Sequence, residues 1–463
     1  MATKTVTSDR LGIYTYMHHM DIRRLRIRNS TVYKKMIDSN EWEKLSLDNN
    51  PIYGFLLLTD LILGQMGHED FYIFYEKIEG STETLRAMLC IYSRDLGPAI
   101  AGVRVNSYDA EEDMVEDAVM CSRTTARKAA FSNLKLGGAQ FIIDHNNPKE
   151  IAYNRSNSYA LIENIGKIVD EFQGQIIVGP DLNTGMHTMH ILQRFTEHVI
   201  CNVDQDSYIC VEDGRQETGS INGSGDPSPF TAYSVYQSLK RAAFSITGSD
   251  SLQGKKILII GLGKCGISLI DLLLQEGALL MGADIDPQAC QIIEELYPVK
   301  ILARSPEEMV NAYSTECFAL VPCAGGGIIS EKRIELFNTQ IICGAANNQL
   351  NTDMDAVLLH DKDVLYIPDF ISNCGGLINA AQEVPSTPKQ REYRLNYDEN
   401  MVYKQIDAVG ASLAALLEEL KAQNISPYEL SQAKADLKMQ DKRKLRWINY
   451  VASKSVKSQI DNQ

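Results

Sequence analysis

The stretch from Gly254 to Asp286 constrains the fold more than any other part of the chain. Ile257 to Ile260 form an unbroken apolar, largely β-branched run, as in a parallel strand buried on both faces. Gly261, Gly263 and Gly266 follow at once. In such a turn the first glycine bends the chain sharply and the second lets backbone approach a ligand. The third lets the next helix pack against the strand. Ile267, Leu269, Ile270, Leu273 and Leu274 give that helix a broad apolar face, and Gly277 is a natural stop. A second strand, Ala278 to Ala283, ends at Asp284. Strand, glycines, helix, strand and acid in this order are far more specific than three glycines alone. They predict a Rossmann-type doubly wound α/β unit that binds a dinucleotide, with phosphates at the helix N-terminus. Gly261, Gly263, Lys264, Cys265 and Gly266 would line the phosphates, and Asp284 would accept from a ribose hydroxyl, a role Asp286 could share. An acid at that place favours NAD, because it repels the extra phosphate of NADP.

With 463 residues, 44% of them hydrophobic, the chain can build two or three domains with real cores. Its formal charge of −15 argues against a nucleic-acid partner, since phosphate binding needs a concentrated basic surface. The basic run Lys442, Arg443, Lys444 and Arg446 reads as the solvated face of a helix. The ten cysteines are scattered, with neither a Cys-x-x-Cys pair nor a Cys/His cluster at ligand spacing. No metal site is expected, and a reducing, cytoplasmic setting fits best. Met1 to Arg10 lack an apolar signal core, and the apolar stretch Phe55 to Leu63 is interrupted by Thr59 and Asp60. No membrane partner is therefore expected.

Residues 1–68 read as an N-terminal extension containing charged helical stretches such as Met20 to Met36. Residues 69–222 alternate strands with helices and predict a second α/β domain. Phe71 to Tyr75 and Leu85 to Tyr92 read as strands, Leu96 to Arg104 as a glycine-bearing loop, and Ala110 to Ala130 as a helix. The strand Gln175 to Val178 runs into Gly179, Pro180 and Asp181. Gly219 to Pro229, rich in Gly, Ser, Asp and Pro, reads as an interdomain connection. The nucleotide domain is expected over 223–380, with a loop at Pro368 to Gly376, and helices over 381–463 close the chain.

Several of these segments together resemble one family, the Glu/Leu/Phe/Val dehydrogenases, and within it leucine dehydrogenase most. They include Leu96 to Arg104, Asp181 to Thr184, Gly223 to Tyr236, Gly344 to Leu350 and Pro368 to Asn379. The resemblance implies two domains with a cleft between them and a homo-oligomer built through the N-terminal domain. It implies oxidative deamination of an L-amino acid to a 2-oxo acid and ammonia, with NAD as hydride acceptor. Carried over residue by residue, Lys128 matches the lysine on the substrate carboxylate and Asp181 the acid that shuttles protons. Thr231 and Asn373 match residues around the nicotinamide, and Ala324 to Gly327 (Gly325 included) and Ala346 to Asn348 match loops along the cofactor. Ala101, Gly102 and Gly179 would border the substrate. A carboxylate in such a cleft can have a raised pKa and serve as base and then acid.

One position departs from the pattern. After Gly137, Gly138 and Ala139, where the family has its catalytic lysine, stands Gln140. Glutamine donates a neutral hydrogen bond and supplies neither positive charge nor an exchangeable proton. Ala101 replaces a glycine and would intrude on the pocket, whereas Gly179 would enlarge it. Three readings follow: an oxidoreductase with altered chemistry on an amino acid or preformed imine, an inactive ligand-binding member, or an ordinary enzyme with an inactivating substitution. Lys135 or His145 would be the nearby candidates to compensate.

Overall fold

Between residues 22 and 36 Leu25, Ile27 and Val32 alternate with arginines and lysines, and the chain is extended rather than helical. The helical expectation for Met20 to Met36 is thus corrected: Ile22–Arg28 (β1) and Thr31–Met36 (β2) form an antiparallel pair, and β1 pairs in turn with Asp70–Lys77. The charges that suggested a solvated helix are held by acids in the fold. Arg24 bonds Glu171 at 2.6 Å and also Glu76, and Arg26 bonds Asp70 at 2.9 Å.

The computed structural model describes residues 12–28, 31–46, 50, 52, 55–56, 59, 63, 67–79, 81, 83–148, 151, 158–201, 224–384, 397–421 and 425–439. The basic run Lys442 to Arg446 and the first part of the Gly219 to Pro229 connection lie outside them. The chain divides into two compact units, Met1–Ala126 with Lys135–Asn202, and Arg127–Leu134 with Val203–Gln463. The helix Glu111–Phe131 belongs to the first unit through Ala126, and its last turn belongs to the second.

The first unit holds an eight-stranded mixed sheet. To β1 and β2 it adds Glu43–Lys44 (β3), Asp70–Lys77 (β4), Thr84–Ser93 (β5), Ala99–Asn106 (β6), Gly137–Asp144 (β7) and Ile176–Pro180 (β8). Their order is β3-β2-β1-β4-β5-β7-β6-β8, and β6 runs parallel to both β7 and β8. Leu96 to Arg104 is therefore mostly a central strand and not a loop. Gly137 and Gly138 serve packing. A Cβ on Gly137 would lie 2.0 Å from the Ser93 carbonyl oxygen, and one on Gly138 2.2 Å from the Ala126 amide nitrogen.

The second unit is the predicted doubly wound fold. Its strands are Lys256–Ile260 (β9), Leu279–Ala283 (β10), Lys300–Ala303 (β11), Cys317–Pro322 (β12), Thr339–Ile342 (β13) and Leu365–Tyr366 (β14). All pair parallel in the order β11-β10-β9-β12-β13-β14. The order reverses between β9 and β12, so the loops after these two strands meet where such sheets bind ligands. Pro368 to Gly376, expected as a loop, carries the short helix Asp369–Ser372 and the start of Gly375–Ala381.

Candidate active site

Two constellations carry chemistry, one in each unit. In the first unit Gly102 on β6 pairs with Gln140 on β7 and with Gly179 on β8, so the three form one row across the sheet. Asp181 follows β8 directly and its turn is fixed. The Asp181 amide donates to Thr184 Oγ1 at 2.9 Å, Thr184 Oγ1 donates to the Val103 carbonyl at 2.7 Å, and Asn183 adopts a left-handed φ of 56°. Gln140 Nε2 donates to Asp181 Oδ2 at 2.7 Å. The same oxygen accepts from Arg104 Nε at 2.9 Å, while Arg104 Nη2 reaches Oδ1 at 3.4 Å. Arg104 Nη1 donates to Asp117 Oδ1 at 2.6 Å, and the Tyr108 hydroxyl donates to Asp117 Oδ2 at 2.6 Å.

Arg104 is the residue that sequence reasoning missed. Its signal was period-two spacing: it lies two positions beyond Gly102 and so faces the same side of β6. Burial alone would push the Asp181 carboxyl upward. The Arg104 charge, with hydrogen bonds from Arg104 and Gln140, outweighs burial and holds it below the usual aspartate range. The expected raised pKa is thus overturned. The cation beside Gln140 at Asp181 is Arg104, and neither suggested substitute is among the named partners of Asp181. Lys135 is exposed, and His145 accepts from the Asn147 amide at 3.1 Å and lies 3.8 Å from Glu83.

Two pocket expectations also fail. Ala101 is fully buried in the apolar core with Ala139 and Val178, on the face of the sheet opposite Gly102, so its methyl does not intrude on the Asp181 site. Gly179 opens no extra room, because a Cβ there would already lie 3.0 Å from Ile200 Cγ1. Gly102 is different. A Cβ on it would lie 3.0 Å from Asp181 Cβ and 3.2 Å from Gln140 Oε1, so glycine is what lets these side chains close over the strand.

In the second unit Gly261 and Gly266 have the backbone geometry expected of the glycine turn. Gly261 has φ 103°, and a Cβ there would lie 2.6 Å from the Ala324 amide nitrogen. A Cβ on Gly266 would lie 2.3 Å from the Gly261 carbonyl oxygen, so only glycine lets the helix Lys264–Gln275 pack this closely. Around Gly263 nothing among the described residues stands within 4 Å of a built Cβ, which leaves space at the helix N-terminus. Asp284 Oδ2 accepts from the Leu262 amide at 2.7 Å and Oδ1 from the Asp286 amide at 2.9 Å, which fixes its orientation. Gly261, Asp284, Ala324 and Gly325 line a cavity of about 340 Å³, with Tyr313 and Arg333, which sequence reasoning did not single out. Lys264 is half-exposed, 3.6 Å from Asp226, and Cys265 is partly buried beside it.

Four more predicted residues lie elsewhere in this unit. Asn373 Nδ2 donates to the carbonyls of Ala345 and Ala346 at 3.0 and 3.1 Å, and to Asn347 Oδ1 at 2.8 Å. Its Oδ1 is buried and has no partner among the described residues. Lys128 Nζ donates to the same Asn347 Oδ1 at 3.1 Å. Thr231 Oγ1 donates back to the Pro227 carbonyl at 3.0 Å. Asn348 has φ 50°, and its amide donates to Asp369 Oδ2 at 2.5 Å.

Comparison with known proteins matches this chain to one family. The family model for Glu/Leu/Phe/Val dehydrogenase, dimerisation domain, matches residues 69–198, and that for Glutamate/Leucine/Phenylalanine/Valine dehydrogenase matches residues 284–446. Leucine dehydrogenase from Bacillus cereus is 31% identical over 347 residues, 74% of this chain and 84% of that protein. The chain belongs to the Glu/Leu/Phe/Val dehydrogenase family. L-tryptophan dehydrogenase from Nostoc punctiforme is 29% identical over 373 residues, 80% of this chain and 93% of that protein. The crystal structure of L-tryptophan dehydrogenase from Nostoc punctiforme aligns with TM-score 0.61 and 26% identity, covering 82% of this chain and 98% of that one. Membership of the family makes the two-domain α/β fold an amino-acid-dehydrogenase architecture. Among the described residues no helix is long and apolar enough to cross a membrane.

Proposed function

We propose that the chain catalyses NAD-linked hydride transfer at the α-carbon of an L-amino acid, or of an imine derived from it, with chemistry altered at Gln140. The observation that carries this reading is Asp181, kept as a carboxylate beside Gln140 at 2.7 Å on a rigid strand row that an inert scaffold would not need. The dinucleotide fits the residues of the second unit. Gly261, Gly263 and Gly266 would take the pyrophosphate, Asp284 a ribose hydroxyl, and Asn373 Oδ1, unpartnered among the described residues, a donor from the ligand. Bound there, a nicotinamide dinucleotide supplies the hydride acceptor or donor. The orientation of Asp284 supports NAD over NADP. Lys128, by its match within the family, would bind the substrate carboxylate. A homo-oligomer in the cytoplasm completes the reading.

NADH absorbance tests it, scanned over L-amino acids and over 2-oxo acids with ammonia or other amines, with NADPH as comparison. Turnover with any of these pairs supports the reading. Tight NADH binding without turnover on any pair points instead to a family member that binds ligand for assembly or regulation. That second reading has its own support in the depressed pKa of Asp181, which weakens this side chain as a proton shuttle.

A further inference from the structure

We propose that Arg104 and Gln140 fix Asp181 as a permanent carboxylate, and that its ligand is a nitrogen which arrives already cationic, a preformed iminium. This rests on reading the chain as an amino-acid-dehydrogenase-type oxidoreductase and names its substrate class.

The geometry leaves Asp181 little to do as an acid. Oδ2 already accepts two strong donors, Arg104 Nε at 2.9 Å and Gln140 Nε2 at 2.7 Å. Oδ1 receives only the long 3.4 Å contact from Arg104 Nη2 among its side-chain partners, and 19% of the side chain stays open. The Leu182 amide also bonds this carboxylate, so Oδ1 keeps the greater side-chain acceptor capacity of the two oxygens, in a side chain that is not wholly enclosed. The other charged and titratable groups facing this cluster do not free Asp181. Asp117 holds the far side of Arg104 at 2.6 Å and is itself held by the Tyr108 hydroxyl at 2.6 Å. Cys121 is buried against Asp117, and burial keeps its thiol neutral. Arg104 thus spans two carboxylates, which fixes its guanidinium between them.

A carboxylate that does not protonate can match a positive charge but cannot deliver a proton. Gln140 cannot supply that proton either. A 2-oxo acid plus ammonia would need acid–base help at the carbonyl and at departing water. A preformed iminium needs none. Hydride adds to its carbon, the π electrons of the C=N bond become the nitrogen lone pair, and the positive charge disappears. The reduced nicotinamide of the proposed activity supplies that hydride, and the neutral amine product takes its proton from solvent. Arg104 is a positioning residue here, because it acts on the substrate only through Asp181.

Two measurements on the full 463-residue chain test this. The first is infrared difference spectroscopy of ¹³C-aspartate-labelled protein against the Asp181→Asn variant, from pH 4.5 to 9. The wild type is expected to show no protonated-carboxyl band from Asp181 anywhere in that range. Arg104→Met should create one, and Arg104→Lys should suppress it again, which a purely structural role would not do. A protonated Asp181 in the wild type near neutral pH overturns the proposal. The second is calorimetry with NADH present, using as probes the twenty common L-amino acids, their N-methyl derivatives and the matching 2-oxo acids, in buffers of differing ionisation enthalpy. At least one ammonium probe should bind tenfold or more tighter than its oxo acid, with no net proton exchange. Equal binding of oxo acids, one proton taken up, or no binding of any cation overturns it. Proton-silent cation binding together with complete absence of turnover would instead leave this site assignment standing and remove the redox reading beneath it.

Discussion

Around Asp181 the polar groups are bonded to one another within a single unit, whereas around Gly263 and Asn373 the chain leaves space and an acceptor open. Arg104 bridges Asp181 and Asp117, and Gln140 and Tyr108 close the network at 2.7 and 2.6 Å. In the second unit, by contrast, no atom of the described residues comes within 4 Å of a Cβ built on Gly263, and Asn373 Oδ1 has no partner among those residues. Polar groups left unsatisfied in a folded chain cost free energy unless a ligand completes them. Under the proposed function the two halves would have different tasks, one a preformed electrostatic platform and the other a cradle that a dinucleotide finishes.

The strongest way to break this contrast is Asp181→Asn. It should lower turnover by about 10²–10³, the scale of one lost electrostatic partner, and destabilise the first unit by about 3 kcal/mol, since Arg104 loses a partner in a mostly buried pair. Steady-state NADH assays and urea unfolding would measure both, and unchanged turnover would remove Asp181 from the mechanism. Gly266→Ala attacks the other half. A Cβ 2.3 Å from the Gly261 carbonyl oxygen must push the helix off the strand. Dinucleotide affinity, read by NADH fluorescence, should fall by about 100-fold, with about 1–3 kcal/mol of stability lost to overpacking.

Gln140→Lys sharpens the comparison from inside the platform. It adds a second cation beside Arg104 at a site where Gln140 is only 2% exposed. The expected outcome is about 1–3 kcal/mol of lost stability and no gain in deamination. Strong deamination by this variant would identify the natural chain as an ordinary amino-acid dehydrogenase with an inactivating substitution. Asn373→Ala should weaken dinucleotide binding by about tenfold, the scale of one hydrogen bond, with little change at Asp181.

The smallest effect is on pH. The folded-state pKa of Asp181 lies below its ordinary value of 3.8, so its stabilisation is complete above that value. It is lost as pH falls through the folded value. The stability gap between wild type and Asp181→Asn should thus be flat at neutral pH and narrow only in acid. A gap that narrows near pH 6 would mean that Arg104 does not hold the carboxylate down.

The dinucleotide cradle was legible because its parts are local. Gly261, Gly263, Gly266 and Asp284 follow one another within 24 residues, and Gly261 and Gly266 are required by backbone geometry that their own neighbours impose. The misreadings share one cause. Charges in Met20 to Met36 suggested a helix, yet Arg24 and Lys35 are 5% and 8% exposed on paired strands, with Arg24 held by the distant acids Glu76 and Glu171. Ala101 was placed at the pocket by its position in a motif, but the strand's alternation turns its methyl into the core.

By itself the sequence determined the doubly wound nucleotide unit, the family and the unusual residue at 140. Only the tertiary structure decided what that residue does. Gln140, Arg104 and Asp181 come from three strands and their ends, separated by 36 to 77 positions, and charge interactions depend on distance in space. A lone glutamine reads as a lost cation. Set beside Arg104, it is one of two donors that keep a carboxylate charged.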